Sequence, residues 1–422
     1  MSSLDTNRPN VPRLERVYGW VIGIRRHKNV TFIDIDSYGK KVQVVVDNNK
    51  FSDIIDVLHS EALVEVQYER VNGKDNVAHH IKIINSSKGF YSYLRCVDPY
   101  SPKTLNKRHL LFKNTTFRKI IKLRAKTLSI IRDFLKKEGF VVISTPVIAP
   151  VTYYGKEPAF KVKFYKYEAF LNQCAAYYLE AALLGFNKVY SIVPSFRAEK
   201  VRSPRYLCEY WHLKGEIAFY NLNDIINFIE KFIYHIVETL WMTEQDTLLS
   251  INKSFEVEKF KPPYQRIDYD EAVEIVRRVN KDFKRGRSIG SDEEKILSKL
   301  FEKPFWVMYL PRSTQPFPYR LHPERKDKTL TADLIVPQYG EILGVAEKIY
   351  SIDELMERIE SDGVPDNDIE PYKWYIELRY AGMPPHSGFG MGIERFLRAV
   401  LAAPHVRDVI PFPRLYGRKP IP

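Results

Sequence analysis

Two segments of this 422-residue chain combine charged and small residues at spacings that suit chemistry. The first, SFRAEKVRSPRYLCEYWHLKGEIAF, carries Arg197 and Glu199 two positions apart, then Lys200, Arg202 and Arg205, then Glu209, Tyr210 and Glu216. Residues i and i+2 of a strand share a face, so Arg197 and Glu199 are expected to point together. That pairing suits a guanidinium holding a phosphate beside a carboxylate accepting from an amine. An ordinary cross-strand ion pair has the same spacing. The second segment, SGFGMGIERFLRAVL, sets Gly388, Gly390 and Gly392 on alternate positions ahead of Glu394 and Arg395. Glycines along one strand face let a flat ligand approach the backbone, and Arg395 would reach it from the start of a helix. Close packing of strand on helix asks for the same residues.

These segments need a scaffold, and the hydrophobic pattern supplies one. Residues 15–87 alternate apolar and polar positions in five short runs (RVYGWVIGI, VTFIDID, KKVQVVVD, ALVEVQYERV, VAHHIKII), with turn signals at Ser37-Tyr38-Gly39 and Asn72-Gly73. This reads as a small antiparallel barrel, with FSDIIDVLHS as a short helix between its third and fourth strands. Residues 89–111 lack clear periodicity and read as a connector. Thr116 to Glu138 places Ile120, Ile121, Leu123, Leu128, Ile131 and Leu135 at helical spacing, with Gly139 as C-cap. Beyond Phe140, helical runs such as LNDIINFIEKFIYHIVETLW and SIDELMERIE alternate with strand runs FWVMYLP, TADLIV and GEILGVAEKIY. The strands are separated by loops rather than regular crossover helices, so the expected class is α+β with a mainly antiparallel sheet flanked by helices. There is no GxxxxGK[ST] and no strand-bound GxGxxG, so a classical nucleotide fold has no support.

Composition excludes other classes. The three cysteines, Cys96, Cys174 and Cys208, form no CxxC pair and build neither a disulfide framework nor a cysteine-rich zinc site. No apolar run approaches a membrane span, and MSSLDTNRPNVPRLERV lacks the apolar stretch of a signal peptide, so a cytoplasmic protein without membrane attachment is expected. The formal charge of +13 is unevenly spread: residues 89–140 hold 13 basic and 3 acidic side chains. Such a segment is either a phosphate-binding surface or the solvated basic face of an amphipathic helix.

Taken in order, the segments identify a family by resemblance. EGFVVISTPVIAP (Gly139, Phe140, Ile143, Pro146) resembles motif 1 of the class II aminoacyl-tRNA synthetases, Phe196-Arg197-Ala198-Glu199 motif 2, and Gly388 to Arg395 motif 3. The resemblance covers nearly the whole chain. It implies an OB-fold anticodon-binding barrel over 1–88, a hinge over 89–111 carrying LNKRHL, and a catalytic domain over 112–422, as in the aspartyl, asparaginyl and lysyl subgroup. YYLEAALLGFNKVYSIVPSFRAEK, PPHSGFGMGIERF and RDVIPFPR are most similar to the asparaginyl members. Leu179 stands where aspartyl members typically have Lys, and Glu180 suits a neutral amide that donates to it.

The resemblance also implies roles. The expected activity is ATP-dependent activation of asparagine to an adenylate and transfer to the 3′ end of tRNA. Arg197 bridges the α-phosphate and the substrate carboxylate, while Tyr210 and Arg395 enclose the adenine. Glu199, Arg205, Tyr206, Glu209, Gly390 and Gly392 complete the ATP site, and Asp333 and Glu341 hold Mg2+. Glu157, Gln173, Glu180, Lys348 and Ser387 are the amino-acid set. Arg25, Phe32 and Gln43 form the anticodon-reading surface, and motif 1 implies a homodimer.

Several positions depart from the family pattern. Gln173-Cys174-Ala175-Ala176 stands for Gln-Ser-x-Gln, Thr152 to Glu157 for an acidic Glu-Gly-Gly type loop, and Gly344 to Lys348 for Gly-Gly-x-x-Arg. Tyr206 stands where His is common. The departures cluster around the amino acid rather than the adenine, which keeps open a paralogue activating aspartate, or a tRNA-binding relic without catalysis.

Overall fold

The computed structural model describes residues 14–71, 75–86, 89, 91–152, 158–363 and 369–421. The chain divides into two compact units, residues 1–101 with 110–118, and residues 102–109 with 119–422.

In the first unit, β1 (Leu14–Arg26), β2 (Val30–Ser37), β3 (Lys40–Asp47), β4 (Leu63–Val71) and β5 (Asp75–Asn85) close into a barrel of order β1-β2-β3-β5-β4. Alternation builds it: Val21, Ile33, Ile35, Val44, Val46, Val64 and Val66 point inward and are essentially inaccessible. The expected all-antiparallel barrel is corrected at one point, since β3 and β5 meet in parallel through Val45 and Val77. A chain that returns β5 beside β3 after pairing β4 with β5 must close that way. The Tyr38-Gly39 turn adopts positive φ (51° and 103°), matching a two-residue hairpin between β2 and β3. The turn expected at Asn72-Gly73 lies outside the described residues.

Part of the basic connector folds onto this barrel. Arg95 donates from Nη1 to Asp36 Oδ2 at 2.6 Å and also bonds Glu61; Lys113 Nζ reaches Glu61 Oε2 at 2.6 Å, and Arg118 Nη1 reaches Asp36 Oδ2 at 2.9 Å. Asn114 Nδ2 donates to the carbonyls of Leu94, Arg95 and Val97. Three cations of the segment are therefore consumed in holding the barrel together.

The second unit is built on an eight-stranded sheet of order β12-β13-β14-β15-β16-β11-β10-β6. Its strands are β6 (Val141–Val142), β10 (Lys188–Phe196), β11 (Glu209–Ala218), β12 (Gln265–Asp268), β13 (Phe305–Met308), β14 (Thr331–Val336), β15 (Gly340–Lys348) and β16 (His386–Gly392). All neighbours are antiparallel except β12 with β13 and β10 with β6. A small separate sheet joins β7 (Ile148–Ala149), β9 (Tyr167–Leu171) and β8 (Lys161–Phe164). The helix Leu222–Ile251 starts at an Asn221 capping box with Asp224 and buries Phe228 and Phe232 against Phe389 of β16, with ring centroids 6.1 and 6.2 Å apart. Phe134, on the helix Thr115–Lys137, joins them at 5.2 Å from Phe232. This aromatic layer fixes β16 and β11 from behind: a Cβ on Gly215 would stand 2.3 Å from the Phe389 ring.

Candidate active site

The open face of that sheet carries the chemistry. A cleft is lined by Arg197, Arg205, Tyr206, Tyr210, Glu341, Gly390, Gly392 and Arg395, all expected, and by Leu207, His212, Ile342, Glu394 and Val406, which were not. The segment that resembles motif 2 forms the β10–β11 hairpin, but β10 ends at Phe196, so Arg197 and Glu199 follow the strand instead of sharing its face. The backbone of Arg197 still donates to Cys208 at 3.0 Å, as a last rung, and its Nη1 is 3.4 Å from Glu199 Oε1. The Arg197 guanidinium lies 6.0 Å from the Tyr210 ring centroid, and that of Arg395 lies 5.7 Å from Tyr206. Glu209 opens β11 and bridges to Arg414 instead of lining the cleft.

The glycines have a different local reason from the one expected. Gly388 faces Glu216 and Gly390 faces Lys214 across the β11–β16 ladder. A Cβ on Gly388 would meet the Glu216 carboxylate at 2.2 Å, and one on Gly390 would meet Lys214 Nζ at 2.6 Å. Absence of side chains on β16 thus first makes room for those of β11, and at Gly390 and Gly392 it also leaves the cleft floor bare.

At one end of the cleft the acidic residues gather. Glu341 Oε2 accepts from Arg395 Nη1 at 2.8 Å and from Arg205 Nη2 at 3.4 Å. Burial pushes its proton affinity up, but Arg395, Arg205 and Arg197 together hold it below the usual carboxylate range. Glu294, from the helix Ser291–Leu297, bonds Arg205 and accepts from the Glu341 backbone at 3.2 Å. It was missed because one carboxylate in an acidic helix start gives no sequence signal. Asp333, on β14, faces Gly344, where a Cβ would be 3.0 Å from its Oδ1. Burial, then Glu341 and Glu294, raise its carboxyl well above its ordinary range. Asp333 and Glu341 carry hard oxygens of the kind a divalent cation such as Mg2+ takes, but Glu341 is engaged by Arg395 and Arg205, and among the described residues no group of three or more His, Cys, Asp or Glu side chains is arranged to hold a metal ion.

The expected amino-acid residues lie deeper. Gln173, Glu180, Lys348 and Ser387 are at most 2 % exposed and do not line the cleft, and Glu157 lies outside the described residues. Glu180, expected to accept from a substrate amide, is engaged already: Lys348 Nζ at 3.1 Å, Arg379 Nη2 at 2.8 Å and Tyr375 Oη at 2.5 Å donate to it, and His386 Nε2 is at 3.4 Å. Burial favours its protonation, yet Lys348 and Arg379 hold it well below the usual range, so it is an anion locked between cations. Ser387 Oγ donates to the Tyr220 carbonyl at 2.7 Å.

His212 is buried with Nδ1 3.1 Å from Ser195 Oγ, and burial, then Lys214, Arg197 and Arg395, keep it neutral. Its position was legible only once β11 was paired with β16.

In the first unit, register brings Arg25 opposite Phe32 and Asp34 opposite Gln43. Arg25 Nη1 and Gln43 Nε2 donate to Asp34 at 3.1 and 2.9 Å, and the Arg25 guanidinium lies 5.9 Å from the Phe32 ring. Phe32 is half-buried on the outer face while Thr31, Ile33 and Ile35 fill the interior, so it is not a core residue.

Of the basic segment, Arg108 proves to be structural within the second unit, donating to the carbonyls of Arg407, Ile410 and Pro411. Arg124 pairs with Glu394 at 2.7 Å. With Arg95, Lys113 and Arg118 neutralised in the first unit, the exposed remainder is Lys103 in the short helix Pro102–Lys113 and Lys122, Arg132, Lys136 and Lys137 on the helix Thr115–Lys137. Of the two readings that the charge count leaves open, a phosphate-binding surface thus has fewer exposed cations to draw on. Among the described residues no helix is long and apolar enough to cross a membrane.

The profile of a family described as tRNA synthetases class II (D, K and N) matches residues 101–416. The chain is 32% identical to an asparagine–tRNA ligase of Pyrococcus abyssi over 96% of this chain and 95% of that protein, and 31% identical to one from Thermoplasma acidophilum over 95% of both. The crystal structure of asparaginyl-tRNA synthetase from Pyrococcus horikoshii complexed with asparaginyl-adenylate superposes with a TM-score of 0.90 at 31% identity, covering 97% of this chain and 96% of that one.

Proposed function

The chain belongs to the class II tRNA synthetases (D, K and N), and from that membership we propose that it is an asparagine–tRNA ligase that uses ATP. The observation that carries the reading is the convergence of Arg197, Tyr210, Arg395 and the bare floor at Gly390 and Gly392 in one cleft. In the first step an oxygen of the amino-acid carboxylate attacks the α-phosphorus of ATP and the bond to pyrophosphate breaks. The carboxylate is already a nucleophile, so positioning and charge neutralisation dominate over proton transfer. Arg197 binds the α-phosphate and the incoming carboxylate, and the Tyr210 ring takes the adenine with Arg395 beside it. Because His212 is neutral, it adds no charge there and serves to shape the wall. Asp333 and Glu341 would hold Mg2+, which supplies positive charge to phosphate oxygens. In the second step the terminal tRNA hydroxyl takes the acyl group and AMP leaves.

Phe32, with Arg25 and Gln43, offers a stacking face and edge-reading groups for an unpaired anticodon base. The motif 1 strand β6 exposes Val141 and Val142, at 37% and 63%. An apolar edge of this kind fits cover by a second copy, and the working form is a cytoplasmic homodimer. Charging of purified tRNA with labelled asparagine tests the reading: the chain is expected to form asparaginyl-tRNA, and charging with another amino acid instead would overturn it.

A further inference from the structure

Along the cleft face of β11, Tyr210, His212, Lys214 and Glu216 alternate, leading from the adenine end toward the buried Glu180 network. His212 and Gly390 line the cleft, and Lys214 faces Gly390 across the ladder. A point one Cβ above Gly390 is 2.6 Å from Lys214 Nζ and 3.0 Å from His212 Nε2, so ammonium and imidazole flank the same bare patch of floor. Lys214 is 6 % exposed, and among the described residues its ammonium has neither a hydrogen-bond nor an ion-pair partner.

The neighbouring carboxylates make no ion pair or hydrogen bond with it. Glu180 is engaged by Lys348, Arg379 and Tyr375, and the ion pair that Glu216 makes is with Lys348, at 3.7 Å. An ammonium buried without a counter-charge is costly, and the usual escape is loss of its proton. Lys214 does not take it: burial works against the charge, yet its proton affinity is held above the ordinary lysine range, favoured by the Glu216 carboxyl two residues along the strand. A retained cation with no hydrogen bond or ion pair among the described residues, bordering a cleft floor, is a site open to an anion.

We propose that Lys214 is a second carboxylate-binding residue, deeper in the cleft than Arg197 at its amino-acid end, contacting a carboxylate of the substrate beyond the reach of the adenine-binding residues. The proposal rests on the adenylation reading above. The chemistry has two sources, the α-carboxylate common to all amino acids or the side-chain carboxylate of a dicarboxylic one. Either is an anion brought to a fixed donor, and truncating a buried charged donor of this kind costs a factor of about ten or more in affinity.

Binding of asparagine, aspartate and asparaginol, which lacks the α-carboxylate, is measured by calorimetry on the full chain and on Lys214→Met and Lys214→Arg, with thermal unfolding to check folding. The α-carboxylate source predicts that Lys214→Met weakens asparagine and aspartate about tenfold or more and leaves asparaginol unchanged. The side-chain source predicts that aspartate alone weakens. In both, Lys214→Arg retains most of the affinity. Equal weakening of all three ligands, no change, or tighter binding of any would overturn the proposal. Failure of the wild type to bind asparagine while aspartate binding depends on Lys214 would sink the asparagine reading and spare this one. Binding of none of the three would sink both.

Discussion

Gly390 and Lys214 are cross-strand partners, and a single methyl group on Gly390 would stand 2.6 Å from the Lys214 ammonium. The methyl would also stand 2.9 Å from Lys214 Cδ and 3.0 Å from His212 Nε2, so the fold must absorb it by moving the Lys214 side chain, a flexible one. Gly390→Ala is therefore expected to melt within a few degrees of the wild type while amino-acid affinity in ATP–pyrophosphate exchange falls several-fold. An unchanged affinity would show that the floor at Gly390 is not used.

Gly215 makes the contrasting case. Its missing Cβ is 2.3 Å from the Phe389 ring, which is packed among Phe228 and Phe232 and has nowhere to go. Gly215→Ala is expected to destabilise by about 1–3 kcal/mol, the usual cost of overpacking, and to lower the melting temperature by several degrees.

The Glu61 network predicts a pH dependence. Burial favours protonation of Glu61, but hydrogen bonds from Arg95 and Lys113 overcome it and hold the carboxyl below the usual range. A carboxyl with a depressed folded value stabilises above its unfolded value and loses that contribution as pH falls through the folded one. Stability should therefore drop on acidification below about pH 4.5, and Glu61→Gln should start less stable and show a shallower acid slope. Parallel pH profiles for the two proteins would contradict this.

Redistribution of the basic segment separates two kinds of lysine. Lys113 is paired with Glu61, whereas Lys122 and Lys136 are exposed on the helix Thr115–Lys137. Lys113→Gln should reduce stability and leave the salt dependence of tRNA binding unchanged. Lys122→Gln and Lys136→Gln should each lower the slope of log affinity against log salt by about 0.7–0.9 and leave melting unaffected.

Phe32 tests the barrel. Phe32→Ala is expected to weaken tRNA binding by about 1–3 kcal/mol, the scale of one stacked base, while exchange without tRNA stays at the wild-type level.

The fold was legible where one period ran uninterrupted. The five barrel strands and the helices Thr115–Lys137 and Leu222–Ile251 follow from spacing of apolar residues, and the motif residues Arg197, Tyr210, Gly390 and Arg395 fall in one cleft. Three-dimensional pairing decided the rest. That Arg95 and Lys113 would be absorbed by Glu61, or that Glu180 would be enclosed by Lys348 and Arg379, depends on contacts between residues 34 to 199 positions apart. Nothing in HLKGEIAF distinguishes Lys214 from any other strand lysine; only the β11–β16 register places it over a glycine.

The central claim is that this cleft adenylates asparagine with Arg197 as the bridging cation. Asparagine-dependent ATP–pyrophosphate exchange, measured on the wild type and on Arg197→Ala, tests it most directly. The expected result is exchange by the wild type and its loss, by at least a hundredfold or about 2.7 kcal/mol of transition-state stabilisation, in a variant that still folds and binds tRNA. Exchange that survives Arg197→Ala, or a wild type that exchanges with another amino acid and not with asparagine, would contradict it.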